Sequence, residues 1–340
     1  MTINAGQSDP ASACGPDDGS AAEQVVTDAI ERLIPDWYGP DARLQSKPPM
    51  RRRLWSIHFS PTIAGSDGAV DLIVKIPLWT EAPDLRRALE AGPQPATRAE
   101  YEMLSRIEAM VARVADPGLT AVRRVAYIEE INAVVMERLD SRTFRELTGS
   151  RRIAAGHAVG VWARGFHDEI GSAVDGALKS SDLAPEIDDI EERAAALPSA
   201  LQGTIASIRG RAIELLGCPV RRAVTHGDLG PSNILVTPDD RVAVIDPNLV
   251  PAPVEADLAK LAVAVRTPRA RLLTGIPVGN TVHPVEEAVL SGYGDVSDEI
   301  YGLCRRIAAA RRWIEIEEAS RGIRRLALPM SRRVLAAESI

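Results

Sequence analysis

Three polar side chains punctuate the stretch Val224-Thr-His-Gly-Asp-Leu-Gly-Pro-Ser-Asn-Ile-Leu-Val236 and the segment Val242-Ala-Val-Ile-Asp-Pro247 that follows it: Asp228, Asn233 and Asp246. Apolar runs at 234–236 and 242–245 flank the turn residues Pro238, Asp239 and Asp240, which predicts a tight antiparallel hairpin. Asn233 enters that hairpin and Asp246 leaves it, so closing it brings the two side chains to one point. An amide and a carboxylate are hard oxygen ligands suited to Mg2+, which takes the rest of its shell from water and triphosphate oxygens. Asp228 can orient an acceptor hydroxyl and take its proton while a phosphoryl group moves. The chemistry this spacing suits is phosphoryl transfer. His226, two residues before Asp228, is expected to brace the loop through a backbone hydrogen bond rather than to act as acid or base.

The elements that must position these residues fall into two halves. Residues 1–21 are Gly-, Ser-, Asp- and Pro-rich without periodic apolar positions and read as a disordered tail. Val25, Val26, Ile30, Leu33 and Ile34 recur at helical spacing and Pro35 should end that helix. Strands are expected at 43–45, 54–59 and 70–76, the last two joined as a hairpin by the turn residues 64–68. A helix over 97–115 and strands over 122–128 and 133–137 complete the first half. After Asp140 the pattern turns helical, over 142–170, 185–216, 255–266, 284–292 and 297–326, broken by the strand-rich island 222–246. The acidic run from Asp182 to Glu192 reads as a solvated helix start, with a cation-binding rim as the alternative.

His226-Gly-Asp-Leu with Asn233-Ile-Leu, an apolar strand and Ile245-Asp-Pro247 resembles the catalytic loop and metal-binding strand of the aminoglycoside phosphotransferase and choline kinase family, the small-molecule branch of the protein-kinase-like superfamily. The resemblance implies an α+β, bilobal protein-kinase-like fold, with a small antiparallel β-sheet lobe that binds nucleotide (22–140) and a larger, mainly helical catalytic and substrate lobe (141–340). It implies Asp228 as the catalytic aspartate, Asn233 and Asp246 as Mg2+ ligands, and ATP or GTP as phosphate donor. Lys75, in the apolar run Leu72-Ile-Val-Lys-Ile-Pro77, becomes the lysine that holds the α- and β-phosphates. Glu100 is its expected helical partner; Glu102 competes, but lies about 200° around the helix, so both cannot face Lys75. The segment Val134-Val-Met-Glu-Arg-Leu-Asp140 resembles the strand-to-hinge crossing, where the backbone of Glu137 and Leu139 would hold the nucleobase and Met136 would line its pocket or simply pack in the core. His167 and Asp257 match positions with structural roles. Pro247, where protein kinases have Phe, points to small-molecule acceptors. The chain departs from the kinase pattern at 45–53, which has no glycine; Ser46 is the leading phosphate-loop contact there, while Gly65 and Gly68 belong to a turn.

Bulk properties narrow the partners. The 340 residues carry a net charge of −7, of which residues 1–140 hold −6 and the rest −1. That balance disfavours nucleic acid, which demands clustered Lys and Arg. The chain has no run of about 18 apolar residues, no leader pattern and three Cys without metal-ligand spacing, which together predict a cytoplasmic protein with no membrane segment. The acceptor is expected to be a small molecule bearing a hydroxyl: a sugar, aminosugar, aminoglycoside or similar metabolite. Asn248, Glu255, Glu286, Glu287, Asp295, Asp298 and Glu315 are the candidates to line its site. A nucleotide-binding pseudokinase and a protein kinase are the alternatives, the latter disfavoured by Ile-Asp-Pro and by the lack of an Ala-Pro-Glu signature.

Overall fold

The computed structural model describes residues 16–66, 68–197, 199–268, 283–318 and 324–338. Residues 1–15 of the expected tail, Asp67 of the expected turn and 319–323 of the last expected helix lie outside the described residues. Contacts divide the chain into two units: Met1–Ser105 with Val122–Leu139, and Arg106–Ala121 with Asp140–Ile340. The break at 139–140 falls where the composition changes, but Arg106–Ala121 joins the second unit. There Arg106 donates to the Ile170 carbonyl at 3.1 Å, and the Gly118 carbonyl accepts from the Val242 amide at 2.8 Å.

In the first unit, helix α1 (Pro16–Tyr38) begins within the stretch expected to be disordered. It also runs through Pro35, whose ring removes only the donor to the Glu31 carbonyl. Val26, Ile30 and Ile34 are buried at i, i+4 spacing. A seven-stranded sheet follows: β1 (Arg43–Ser46), β2 (Arg51–Arg52), β3 (Ser56–Phe59), β4 (Thr62–Gly65), β5 (Gly68–Pro77), β6 (Arg124–Ile128) and β7 (Ala133–Glu137). The 64–68 turn closes a hairpin between β4 and β5, not between β3 and β5 as expected, although β3 also pairs antiparallel with the far end of β5. Strands β1–β2 and β3–β4 form one bent antiparallel ribbon, with a bulge between Leu44 and Ser46 and a tip at Arg53–Ser56, where the Arg53 amide donates to the Ser56 carbonyl at 2.7 Å. Along β5, Leu72, Val74 and Ile76 are buried in the core with Ile57, Phe59, Val135 and the helices α1 and α2 (Leu85–Ala91), while the alternate residues face the other way.

The second unit holds two three-stranded sheets among helices. β8 (Arg142–Thr143), β11 (Ile234–Val236) and β12 (Val242–Val244) form one; β9 (Val174–Ala177), β10 (Pro219–Thr225) and β13 (Val250–Pro253) form the other. The helix expected over 142–170 is divided: β8 and a 3-10 turn precede α4 (Gly149–Gly165), and a π-helical turn follows at Phe166–Ile170. The helix expected over 185–216 is two, α5 (Ser180–Ala194) and α6 (Ser199–Glu214). Helices α7 (Glu255–Arg266), α8 (Pro284–Tyr293), α9 (Asp298–Glu318) and α10 (Arg324–Glu338) complete the unit. A buried ion pair, Arg266 to Glu286 at 2.9 Å with the Tyr301 hydroxyl donating to the same carboxylate at 2.7 Å, ties α7, α8 and α9 together.

Helices α4 and α8 approach each other backbone to backbone. A Cβ on Gly160 would sit 2.1 Å from the Val289 carbonyl oxygen, and one on Gly292 2.0 Å from that of His157. This crossing sets the end of α8, and with it Tyr293, beside the π-turn. Gly160→Val or Gly292→Val should therefore cost about 1–3 kcal/mol or more through overpacking, read as a lower urea midpoint. Gly203→Ala on α6, where a Cβ meets nothing within 4 Å, should leave the midpoint unchanged or raised.

Candidate active site

The first unit supplies a lysine–glutamate pair. Strand alternation leaves Lys75 on the face of β5 opposite the core, and register places it against His58 on β3 and Val134 on β7. Ile73 faces Met136 on the same side, so Met136 and Lys75 share one face of the sheet. Helix α3 (Pro95–Val114) brings Glu100 there: Lys75 Nζ donates to Glu100 Oε1 at 2.8 Å, with the two side chains 17% and 27% exposed. Glu102 is exposed, as the helical angle demands.

Other expected residues of this unit lie elsewhere. Glu137 turns its side chain to the opposite face, where Oε1 accepts from the Tyr38 hydroxyl at 3.0 Å and from Arg123 at 2.5 Å. Its amide is bonded to the Arg123 carbonyl at 2.9 Å, so a backbone contact from Glu137 to a ligand is confined to its carbonyl. Leu139 follows the strand and is half-buried. Ser46 is not brought to Lys75. It pairs with Thr62, and Thr62 with Asp71, which is four residues along β5 from Lys75, or about 13 Å. The bulge in β1 carries the ribbon past 45–53, and its tip at Arg53–Ser56 reaches the Lys75 end of β5 instead, with Leu54 and Trp55 exposed. No glycine marked that tip in the sequence.

The second unit supplies the loop between β10 and β11. Its frame is Asp257 on α7, fully buried: Oδ2 accepts from the His226 amide at 2.6 Å and meets His167 Nε2 at 3.1 Å, while Oδ1 accepts from the Gly227 amide at 2.9 Å. The π-turn points His167 at that carboxylate, and the Tyr293 hydroxyl lies 3.1 Å from its other nitrogen. Burial pushes the Asp257 carboxyl up, but the hydrogen bond and charge of His167, with His226 behind it, hold it below the usual carboxylate range. Gly227 turns the chain at φ +76°, where a Cβ would press within 2.9 Å of Val250 Cγ2. His226 is buried; its Nε2 donates to the Ile245 carbonyl at 3.0 Å and its Nδ1 accepts from the Asp228 amide at 3.2 Å. Burial holds its pKa down against the opposing charge of Asp257, and both bonds suit a neutral ring. His226 braces the loop.

Within this frame Asn233 Nδ2 donates to the Asp228 carboxylate and to the Asp228 carbonyl, each at 2.9 Å. The Ile245 amide donates to the Asn233 carbonyl at 2.9 Å, closing the β11–β12 ladder next to Asp246, whose φ of +57° turns the chain away. Asn233 Oδ1 and the Asp246 carboxylate are the side-chain oxygens carried by the residues that flank the paired strands β11 and β12. Such a pair fits a Mg2+ that takes most of its shell from phosphate and water. Among the described residues no group of three or more His, Cys, Asp or Glu converges to form an all-protein cage. Asp228 itself is exposed and opens onto a cavity of about 650 Å3 within the second unit. Of the candidates for its lining, Asn248 and Glu315 are there. Glu286 is buried in its pairing with Arg266, and Glu255 is buried with Oε1 accepting from the Ser297 amide. Glu287, Asp295 and Asp298 are exposed outside the lining. Sequence reasoning missed Lys260, whose Nζ donates to the Gly227 carbonyl at 2.6 Å; its i, i+3 spacing from Asp257 is the signal that puts both on one helix face.

Comparison with known proteins gives the class. A model of the phosphotransferase enzyme family matches residues 66–289. The chain belongs to that family, and it is a phosphotransferase of the small-molecule kinase kind, acting on a hydroxyl acceptor. Choline kinase LicA from Streptococcus pneumoniae is 16% identical with a TM-score of 0.54, covering 94% of this chain and 99% of its own. Macrolide 2'-phosphotransferase type I is 13% identical with a TM-score of 0.53, covering 93% and 97%. The AMP-bound spectinomycin phosphotransferase is 10% identical with a TM-score of 0.52, covering 92% and 97%. Those likenesses show the shared fold, an antiparallel sheet lobe and a larger helical lobe. No curated protein matches the sequence, and no described helix is long and apolar enough to cross a membrane.

Asp257→Ala leaves two buried amide donors and His167 without an acceptor, at a cost of about 3–5 kcal/mol. A depressed carboxyl stabilises the fold fully above its unfolded value of 3.8 and loses that contribution as pH falls through the folded pKa. Urea midpoints measured from pH 7 down to pH 3 should show this acid-side loss in the wild type, with Asp257→Asn destabilised throughout and lacking that part of the slope.

Proposed function

We propose that the chain transfers the γ-phosphoryl group of Mg-ATP or Mg-GTP to a hydroxyl of a sugar-like or similarly hydroxylated metabolite lodged in the cavity beside Asp228. The observation that supports this is the place of Asp228 in the cavity wall, where Asn233 Nδ2 holds one carboxylate oxygen at 2.9 Å and leaves the other to meet a hydroxyl. Asp228 orients that hydroxyl and accepts its proton as the new oxygen–phosphorus bond forms and the bond to the departing nucleoside diphosphate breaks. Lys75, aimed by Glu100, holds the α- and β-phosphates. Met136 packs against the nucleobase, and the Glu137 carbonyl and Leu139 backbone meet its edge. Asn233 and Asp246 would hold Mg2+, which when bound offsets the charge on the triphosphate oxygens.

The roles separate kinetically. Asp228→Asn should lower kcat by about two to four orders of magnitude while nucleotide affinity stays close to wild type. Asp246→Ala should chiefly raise the KM for Mg-nucleotide. Steady-state release of nucleoside diphosphate, paired with equilibrium nucleotide binding, reads both. Near-normal turnover by Asp228→Asn on the true acceptor would remove it from the role of base, and a wild-type protein that binds Mg-nucleotide without turnover on any acceptor would be a pseudokinase.

A further inference from the structure

The cavity that opens from Asp228 is lined by charge of mostly one sign. Among the described residues its walls hold five cationic side chains and two carboxylates, Asp228 and Glu315. Two of the cations are neutralised nearby: Arg312 meets Glu315 at 3.0 Å, and Arg311 meets Glu186 at 2.8 Å and Asp189 at 3.2 Å. The other three are Arg145, Arg152 and Lys260. Lys260 donates to the Gly227 carbonyl, and none of the three forms an ion pair with a described residue.

Arg152 is the most informative of them. It stands on α4, its guanidinium 5.2 Å from the centre of the Phe144 ring, and its Nε is buried with no hydrogen-bond partner. Burial lowers its pKa, and no carboxylate opposes that. A cation at a cavity wall with no carboxylate beside it is costly to keep, and the cost falls when a ligand in the cavity supplies the anion. A planar guanidinium fork suits a carboxylate or phosphate, which it can take in two parallel hydrogen bonds. A polycationic acceptor would instead meet like charge in a confined space.

We propose that the acceptor bears an anionic group, a carboxylate or a phosphate, in addition to the hydroxyl that is phosphorylated, and that Arg152 binds that group with Arg145 contributing to the same positive field. This rests on the cavity being the acceptor site of the phosphotransferase. The substrate class is then a hydroxylated acid of sugar size, such as a sugar acid or a sugar phosphate. Arg152 sets specificity for it, whereas Asp228 serves the chemistry.

The test holds the carbon frame constant and changes the charge. With the donor site saturated by Mg2+ and a non-hydrolysable ATP analogue, D-glucose, D-glucosamine, D-glucuronate and D-glucose 6-phosphate are titrated calorimetrically into the wild type, Arg152→Gln and Asp228→Asn. One or both anionic sugars should bind about tenfold or more tighter than glucose, the size of one charged hydrogen bond, and glucosamine no tighter than glucose. Arg152→Gln should remove that preference, with circular dichroism confirming that it is folded. A preference shown by the uronate and not the sugar phosphate, or the reverse, assigns the anion. Absence of any anion preference, a preference for glucosamine, or an anion preference that survives Arg152→Gln overturns the proposal. Asp228→Asn, titrated in the same way and assayed separately for phosphoryl transfer with Mg-ATP, separates the two inferences: anion binding retained together with wild-type turnover would sink the role of Asp228 and leave the acceptor class standing.

Discussion

The loop between β10 and β11 owes its shape to one buried carboxylate. Asp257 accepts from two successive backbone amides and meets an imidazole, so that its two oxygens fix the direction of the chain at His226 and Gly227. Everything downstream is referred to that point. Gly227 can take its left-handed turn because its amide is anchored, and His226 can bridge to Ile245 because its backbone cannot slide. The bridge matters for the site: it joins the start of the loop to the residue just before Asp246. Two stretches about 20 residues apart in sequence are thereby locked in relation to each other by neutral hydrogen bonds inside a low-dielectric core, where such bonds hold more strongly than in water.

The helices act as supports for that carboxylate. The π-turn at the end of α4 carries His167, α7 carries Asp257 itself, and α8 ends in Tyr293 beside the histidine. Their spacing depends on the close crossing of α4 and α8 over Gly160 and Gly292, a contact in which a methyl group has no room. A backbone packing constraint is thus coupled to an electrostatic one. The pair Lys75–Glu100 in the first unit is simpler: strand alternation turns the lysine off the core, and helix spacing decides which of two glutamates can reach it.

Legibility in the sequence follows the same division. The β11–β12 hairpin was readable from its apolar runs and turn residues, and it brings the backbones next to Asn233 and Asp246 together, whereas their roles rest on the proposal. The pairing of Lys75 with Glu100 was legible from a lysine in an apolar run and from the family resemblance, while helical angle said only that Glu100 and Glu102 could not both face it. The phosphate-side contact was not. Ser46 is the leading candidate within the glycine-free stretch 45–53, yet a β-bulge and a resumed ladder at Arg51 displace the turn to Arg53–Ser56, and a bulge leaves no residue signature when glycine is absent. Pro35 misled in the opposite direction, since one missing donor near a helix end is tolerated when the helix is buried along its face. The acceptor residues were the least legible. Carboxylates were sought along the C-terminal helices, but a residue's side of a helix bundle is settled by tertiary packing, and Glu255 and Glu286 turned inward to meet an amide and an arginine.

That last miss bears on what the fold can say about substrate. Net charge over the helical half is close to zero, so the sum favours neither cationic nor anionic acceptors. The distribution does discriminate. Among the described residues arginines outnumber acids at the cavity, while Glu186 and Asp189, outside its lining, pair with Arg311 and not with Arg152. At a few ångströms and low dielectric the nearest unpaired charge outweighs the average of the lobe. Solved structures sharing this fold bear names as chemically distant as choline kinase, macrolide 2'-phosphotransferase and spectinomycin phosphotransferase, so the fold by itself names no acceptor. On the proposal that the cavity takes the acceptor, Arg152, a cation on its wall with no carboxylate beside it, is the side chain whose charge bears most directly on that choice.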